Sequence, residues 1–145
     1  MFLVLDANIF FSMLISKGRA FKLLKLNHAL KLSQLVVPDF FFEELKEHKS
    51  EILAKSKLSE EELEEVISLF KSELKVIPRK VFKEFEAKAK SISPPDDFPY
   101  VALALKIQSL GLDTTIWSED KGLKKALKGK VSVLSTDELW KLFFK

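Results

Sequence analysis

The sequence of 145 residues contains no cysteine and only two histidines, His28 and His48. Without cysteine there is no disulfide framework, no zinc site built from thiolates and no cysteine nucleophile. Histidine chemistry is limited to those two side chains. Carboxylates and amines remain plentiful, with 21 acidic residues and 24 lysines and arginines. A metal site in this chain would therefore be built from oxygen ligands.

Glycine and proline are also scarce, with four and five residues, while 47% of the chain is apolar. This composition is typical of a globular protein, and the length fits a single domain over residues 1–145. No stretch approaches the ~20 apolar residues that span a bilayer, and the first apolar run stops at Asp6. We therefore expect a soluble, cytoplasmic protein that does not associate with a membrane.

Short apolar segments alternate with helical patterns along the chain. The candidate strands are residues 2–5, 35–37, 76–77, 114–117 and 131–134. The predicted helices are residues 7–32 with an interruption near Gly18, 38–55, 59–74, 81–89 and 99–111, followed by helices from about 120 and from 135. Capping boxes, Ser59 with Glu62 and Ser135 with Glu138, open two of them. The alternation predicts an α/β domain with a mainly parallel sheet of four or five strands, covered on both sides.

Acidic residues follow the ends of predicted strands. Asp6 comes directly after the first strand, and Asp120 comes shortly after the strand that ends at Trp117. Ligands of open parallel sheets bind in the crevice at the carboxyl ends of the strands, so both side chains should point into that crevice. Asp96 and Asp97 precede a predicted helix, where aspartate most often serves as an N-cap. The position of each acid alone fits a structural role as well as a functional one.

The helix after the second strand offers a fourth candidate acid. Residues at helical spacing define its apolar face, namely Phe41, Leu45, His48 and Ile52. Successive helical residues are about 100° apart, so Glu44 lies at the edge of this face and Glu43 lies nearly opposite Leu45. Glu44 is therefore the better candidate for an inward carboxylate. His48 on an apolar stripe is more often a core residue than a ligand.

Carboxylates that converge in a partly dry crevice repel one another and raise each other's pKa values unless a cation is present. A hard divalent cation resolves this conflict, and Mg²⁺ or Mn²⁺ suits oxygen ligands better than Zn²⁺ does. Magnesium usually keeps several waters, which leaves positions for phosphate oxygens. The resulting hypothesis is metal-assisted hydrolysis of phosphodiester bonds.

Four short motifs resemble those of the PIN-domain family, which includes the VapC-type toxin ribonucleases. They are Leu5-Asp6-Ala7-Asn8-Ile9, Glu43-Glu44-Leu45, Asp97-Phe98-Pro99-Tyr100-Val101-Ala102-Leu103-Ala104 and Trp117-Ser118-Glu119-Asp120-Lys121. Each motif is short and unspecific alone, but the set occurs in the family's order and covers nearly the whole chain. The resemblance implies a three-layer α/β/α, Rossmann-like PIN domain and an endoribonuclease that uses Mg²⁺ or Mn²⁺.

By position in these motifs, the resemblance implies an acidic quartet that binds the metal and carries catalysis: Asp6, Glu44, Asp97 and Asp120. It also implies Asn8 and Ser118 as polar neighbours that order ligands or water. Asp96 is the alternative to Asp97. Many family members carry a further acid two residues after the last aspartate, where this chain has Gly122. The absence of this acid weakens the case for a second metal ion more than the case for the first.

Lysine is concentrated near the end of the chain, although the net charge is only +3. Residues 121–145 contain seven lysines against two acids. Four of these lysines follow Asp120 within eight residues and are candidates for binding the phosphates that flank a cleaved bond. They are Lys121, Lys124, Lys125 and Lys128. Such contacts give sequence-independent affinity that falls with salt. The alternative is a set of solvated helix faces.

The resemblance also implies partners. Family members commonly form homodimers, and toxin members bind an antitoxin protein that covers the active-site groove, in addition to the RNA substrate. The run Phe40-Phe41-Phe42 is either a contact surface or part of the core, and the core is favoured because aromatic side chains bury large areas.

Two classes of function remain. The first is a metal-dependent endoribonuclease, acting as a toxin or in RNA processing, and the second is a non-catalytic PIN-like module that binds RNA or protein. The presence of all four acids favours the enzyme. A phosphatase with an aspartate nucleophile would require a D-x-D pattern after the first strand, and Asp6 is followed instead by Ala7 and Asn8.

Overall fold

The computed structural model of the protein describes residues 1–16 and 18–145, apart from the side chain of Leu69. In this part of the chain the strands form one sheet with the order β3-β2-β1-β4-β5, in which every pairing is parallel. The strands are β1 (Phe2–Leu5), β2 (Gln34–Pro38), β3 (Lys75–Ile77), β4 (Thr114–Trp117) and β5 (Ser132–Leu134). The predicted α/β class is confirmed, with five strands.

Helices fill the connections between these strands. They are α1 (Ala7–Ser16), α2 (Arg19–Leu30), α3 (Phe40–Glu47), α4 (Lys49–Ser56), α5 (Glu60–Glu73), α6 (Arg79–Phe82), α7 (Glu86–Ile92), α8 (Phe98–Ser109), α9 (Lys121–Ala126) and α10 (Thr136–Phe144). Both predicted capping boxes are confirmed, because the serine and glutamate side chains of each bond the other residue's backbone N–H. Among the described residues, no helix is long and apolar enough to cross a membrane.

Helices cover both faces of the sheet. Leu3, Val4 and Leu5 are consecutive in β1 and are each at most 1% exposed. Because successive strand residues point to opposite faces, burial of all three requires a helical layer on each side. The buried residues of β1, β2 and β4 therefore build the centre of the core.

The prediction of one helix over residues 38–55 is wrong. The chain is helical on either side of His48, which has φ −99° and ψ 8° and ends α3. This break lets α3 cover the end of β2 while α4 packs against α1. Ile52 on α4 stays buried, whereas His48 is half-buried against the ring of Phe11, with centroids 5.2 Å apart.

The predicted helix over residues 81–89 is also divided, by a 3-10 turn at Lys83–Phe85 between α6 and α7. Phe82 and Phe85 are three residues apart, which matches the period of a 3-10 turn and keeps both rings toward the core. In the phenylalanine run, Phe41 is fully buried, which confirms a core role for it, while Phe40 and Phe42 are only partly buried.

The carboxyl ends of β1 and β4 meet at the centre of the sheet, where Leu5 pairs with Trp117. The connections lead from β1 to β2 on one side and reach β4 on the other, so the strand order changes direction at β1. A change of direction leaves a crevice above the strand ends, which is where ligands of such sheets bind. The predicted acids lie around this crevice.

Candidate active site

Asp6 follows β1 directly and is 5% exposed. Its Oδ1 accepts a hydrogen bond from the backbone N–H of Asn8 at 3.1 Å, and its Oδ2 accepts one from the hydroxyl of Ser118 at 2.7 Å. The Ser118 oxygen in turn accepts from the backbone N–H of Asp120 at 3.1 Å. Ser118 therefore ties the loop after β4 to the end of β1. Burial raises the pKa of Asp6, and the two hydrogen bonds offset part of that rise.

Glu44 on α3 is half-buried, and its carboxylate accepts a hydrogen bond from the hydroxyl of Tyr100 on α8. Burial raises the pKa of Glu44, the bond from Tyr100 lowers it, and the charge of Asp6 raises it again. Glu43 beside it is exposed. Of the two adjacent glutamates, it is Glu44 whose carboxylate interacts with Asp6.

Tyr100 contacts the candidate site through Glu44 and was not predicted from the sequence. It is 2% exposed and is the single tyrosine of the chain. A buried phenol needs a hydrogen-bond partner, so a lone tyrosine within an apolar helix that follows Asp97 was the available signal. The sequence did not identify its partner, which is 56 residues away.

Asp97 stands at the N-cap position of α8 and is half-buried, but its side chain makes no capping hydrogen bond. Burial raises its pKa to about 6, with further increases from the charges of Asp6, Asp120 and Glu44 and a smaller one from Asp96. The side chain of Asp97 therefore does not cap the helix, which is the usual structural role of an aspartate at this position. Asp96 is exposed, and its charge raises the pKa of Asp97 less than the charges of Asp6, Asp120 and Glu44 do.

Asp120 is exposed and does cap a helix, since its Oδ1 accepts a hydrogen bond from the backbone N–H of Leu123 at 3.0 Å. A side chain at Gly122 would crowd this carboxylate, because a Cβ there would lie 3.2 Å from Asp120 Oδ1. The glycine at this position therefore leaves room for the carboxylate of Asp120.

We call Asp6, Glu44, Asp97 and Asp120 the acidic cluster, because each either raises the pKa of another member or has its own pKa raised by one. Within residues 1–16 and 18–145, no three His, Asp or Glu side chains are arranged so that they could hold a metal ion as they stand. Hydrogen bonds to Ser118, Tyr100 and Leu123 orient three of the four carboxylates. The donor set is oxygen alone, which fits Mg²⁺ or Mn²⁺, and the carboxylates would have to turn toward one another to enclose the ion.

The remaining candidate residues are less central. The side chain of Asn8 is exposed, and its contact with the cluster is made by its backbone N–H. His48 lies at the end of α3 with its Nδ1 3.5 Å from a carboxylate oxygen of Glu51. His28 pairs with Glu73 at 2.7 Å beside the amino ends of β1 and β2, away from the acidic cluster.

The candidate phosphate-binding lysines fall into two groups. Lys124 forms an ion pair with Glu138 of α10, and this bond, with the N-terminal capping contacts, lowers the pKa of Glu138 to about 2. Lys121, Lys125 and Lys128 are exposed, and no carboxylate of the described residues forms a salt bridge with them. Of the four candidate lysines, these three present charges that are available to a polyanion without breaking an ion pair among the described residues.

Residues 4–139 match the PIN domain family. Among solved structures, the chain is similar to one in the crystal structure of VapBC2 from Rickettsia felis bound to a DNA fragment from their promoter. The TM-score is 0.64 at 15% identity, and the alignment covers 93% of this chain and 98% of that chain. A search of curated proteins finds no match. The chain belongs to the PIN domain family, whose members are typically nucleases that depend on a divalent metal.

Proposed function

We propose that this PIN domain is a cytoplasmic, metal-dependent endoribonuclease that hydrolyses RNA, with Mg²⁺ or Mn²⁺ held by the acidic cluster. The observation that carries this proposal is the position of the acidic cluster at the carboxyl ends of β1 and β4, where hydrogen bonds orient three of its four carboxylates. Burial and the neighbouring carboxylates also raise the pKa of Asp97 to about 6. Carboxylates that converge in this way repel one another unless a cation balances them. Strongly shifted pKa values in a crevice at the strand ends are typical of functional sites.

Each acid has a distinct place in this proposal. Asp6 is held at both oxygens, so it provides a fixed ligand, and Glu44 is oriented by Tyr100. Asp97 makes no capping bond and can turn toward a ligand. The chemistry that a divalent cation supplies at such a site is activation of water and stabilisation of charge on the leaving oxygen. Below about pH 6 a proton competes for Asp97.

The first test is cleavage of an unstructured RNA in the presence of Mg²⁺ or Mn²⁺. We expect EDTA to abolish cleavage, and we expect Asp6→Asn and Asp97→Asn to reduce it to background. Asp96→Asn is the matched control, because it removes the same charge from the exposed neighbour. Loss of activity in Asp96→Asn with retention in Asp97→Asn would reverse the assignment within that pair.

A second test separates the enzyme from a non-catalytic module that binds RNA or protein. Calorimetric titration with Mn²⁺ should show binding to the wild-type protein and much weaker binding to Asp97→Asn. Binding that is absent from the wild type, together with tight RNA binding, would contradict the enzyme and support the module.

We also propose that the chain is the toxin of a toxin–antitoxin pair and forms a homodimer. The similar solved structure is that of a VapBC2 complex, aligned over 98% of its chain, which supports a protein partner. A small antitoxin-like reading frame beside the gene, and neutralisation of the nuclease when both are co-expressed, would test the pairing. Light scattering of the purified protein would test the dimer, and a monomer at micromolar concentration would contradict it.

A further inference from the structure

A cavity of about 330 Å³ lies between α3, α6, α7 and the start of α8, and two of its lining residues are chain neighbours of acids of the cluster. Phe98 in its wall directly follows Asp97, and Glu43 in its wall directly precedes Glu44. The cavity is large enough for part of a small ligand. Because α3 and the start of α8 each contribute one acid to the cluster and one neighbouring residue to the cavity, we consider the cavity as a place for a part of the substrate outside the cleaved bond.

Aromatic rings form the apolar part of the wall. Phe40 and Phe98 line the cavity and are partly exposed, while Phe82 beneath them is 1% exposed. The ring of Phe40 packs edge-on against Tyr100, with centroids 6.3 Å apart, and the ammonium of Lys90 lies 4.6 Å from the centroid of Phe98. Both exposed rings are thus held in place. Supported aromatic rings are the usual platform on which unstacked RNA bases stack.

A buried carboxylate fixes the guanidinium of Arg79 in the same wall. Its Nε lies 3.0 Å from both oxygens of Glu86, and its Nη2 lies 2.8 Å from Oε1. Glu86 is 8% exposed, whereas the side chain of Arg79 is 61% exposed. These bonds use the Nε edge of the guanidinium and leave Nη1 for another acceptor. An arginine edge held in this way suits the adjacent O6 and N7 acceptors of guanine.

Two acids in the wall supply acceptors. Asp39 lines the cavity beside Arg79, and its Oδ2 accepts a hydrogen bond from the backbone N–H of Arg79 at 3.2 Å. Glu43 also lines the cavity and is exposed to solvent. An ionised carboxylate accepts hydrogen bonds and donates none. The Watson–Crick edge of guanine carries two adjacent donors, N1–H and the N2 amino group, whereas uracil has one donor between two acceptors. The wall therefore offers acceptors for one edge of guanine and donors for another.

We propose that this cavity is a nucleobase subsite that selects guanine next to the bond cleaved in RNA. The base stacks on the exposed rings, its donor edge faces Glu43 and its acceptor edge faces Arg79. This inference rests on the proposed ribonuclease function. A cationic side chain of a protein partner would suit the acids and the rings but would offer no acceptor to the free edge of Arg79, whereas guanine offers both donors and acceptors, so the base is favoured.

The first experiment sequences the ends produced from an RNA pool with randomised positions. We expect the wild type to enrich guanine about tenfold at one fixed position relative to the cut, the discrimination that one bidentate contact provides. Glu43→Gln, which replaces an acceptor with an amide donor, should bring the enrichment close to onefold. Glu61→Gln is the matched control, because Glu61 is an exposed acid of α5 outside the cavity wall. Cleavage without guanine enrichment overturns the subsite and leaves the nuclease proposal intact.

The second experiment does not depend on cleavage. Nuclear magnetic resonance of the whole protein with guanosine 5′-monophosphate should shift the Nε–H signal of Arg79, and uridine 5′-monophosphate should shift it much less. If Glu43→Gln fails to fold, Phe98→Leu takes its place as the test variant. It keeps an apolar side chain but removes the ring, so it should weaken nucleotide binding. Binding of an arginine-rich peptide without binding of the nucleotide overturns the inference. Nucleotide binding without RNA cleavage under any divalent metal would instead contradict the proposed function and leave a nucleotide site.

Discussion

The hydroxyl of Tyr100 on α8 donates a hydrogen bond to the carboxylate of Glu44 on α3. Burial raises the pKa of Tyr100 far above its usual range, and the charge and the hydrogen bond of Glu44 raise it further, so the phenol stays protonated. Because α8 begins immediately after Asp97, this contact also links the segment that carries Asp97 to the helix that carries Glu44. The relative position of two acids of the cluster therefore depends on one buried side chain.

We expect Tyr100→Phe to lower RNA cleavage at least about tenfold while lowering the free energy of unfolding by only about 1–2 kcal/mol, since one hydrogen bond to a charged group is lost. The bond from Tyr100 lowers the pKa of Glu44, so its loss should move the acidic limb of the pH–rate profile to higher pH. Urea unfolding and a pH series of initial rates measure the two effects. An unchanged rate and profile would contradict a positioning role for Tyr100.

Because the pKa of Asp97 is raised in the folded protein, the free energy of unfolding should decrease as pH rises. Its pKa is about 6 in the folded protein against 3.8 for the unperturbed group, so between these values the folded state keeps a proton that the unfolded state has released. The free energy of unfolding then decreases with pH across this window. A shift of about two pKa units corresponds to ~3 kcal/mol, which half-burial and solvent screening reduce to about 1 kcal/mol.

Asp97→Asn removes this effect, so at low ionic strength the variant should be about 1 kcal/mol more stable than the wild type at pH 7.5 and equally stable near pH 3.5. Asp96→Asn is the control, with an expected change below about 0.5 kcal/mol because Asp96 is exposed. Urea unfolding at the two pH values measures both. Adding Mn²⁺ should stabilise the wild type more than Asp97→Asn, and equal stabilisation would contradict a role for Asp97 as ligand.

Gly122→Ala separates helix stability from the geometry of the site. Alanine favours the helix by about 0.5–1 kcal/mol over glycine, but its Cβ would lie 3.2 Å from Asp120 Oδ1 and displace that carboxylate. We expect a folded protein whose melting temperature is unchanged or higher and whose cleavage rate is several-fold lower. Equal or faster cleavage would show that the position of Asp120 is not critical.

The sequence was sufficient to predict the positions of those candidate acids whose placement follows from repeating geometry. Asp6 and Asp120 come after strands whose carboxyl ends meet at one edge of a parallel sheet, and helical phase distinguishes Glu44 from Glu43. The division of the helix at His48 could not be predicted in this way, because it depends on how α4 packs against α1. A 3.6-residue pattern of apolar side chains continues across such a break.

Contacts between side chains of distant elements likewise could not be predicted from the sequence. The bond between Tyr100 and Glu44 joins residues far apart in the chain, and Arg79 meets Glu86 across a 3-10 turn that replaces the expected helix. Each contact follows from the packing of whole helices, and no local pattern specifies it. Neither the orientation of Glu44 by Tyr100 nor the cavity lined by Arg79 and Glu86 was therefore predicted from the sequence.

The pairing of Lys124 with Glu138 leads to a prediction about RNA binding. Lys125 is exposed and forms no salt bridge with the described residues, so Lys125→Ala should reduce the slope of log affinity against log salt by about 0.7–0.9, the value for one released counterion. Lys124→Ala removes a charge that Glu138 already balances, so the slope should change much less.

Fluorescence anisotropy with a labelled RNA measures both slopes, and Asp97→Asn as the common background prevents cleavage during the titration. Lys124→Ala should also lower stability by less than about 1 kcal/mol, because the ion pair that it breaks is partly exposed. Equal changes of slope in the two variants would mean that RNA breaks the Lys124 ion pair on binding. No change in either variant would place the RNA away from α9, and the phosphates that flank the cleaved bond would then require other cations.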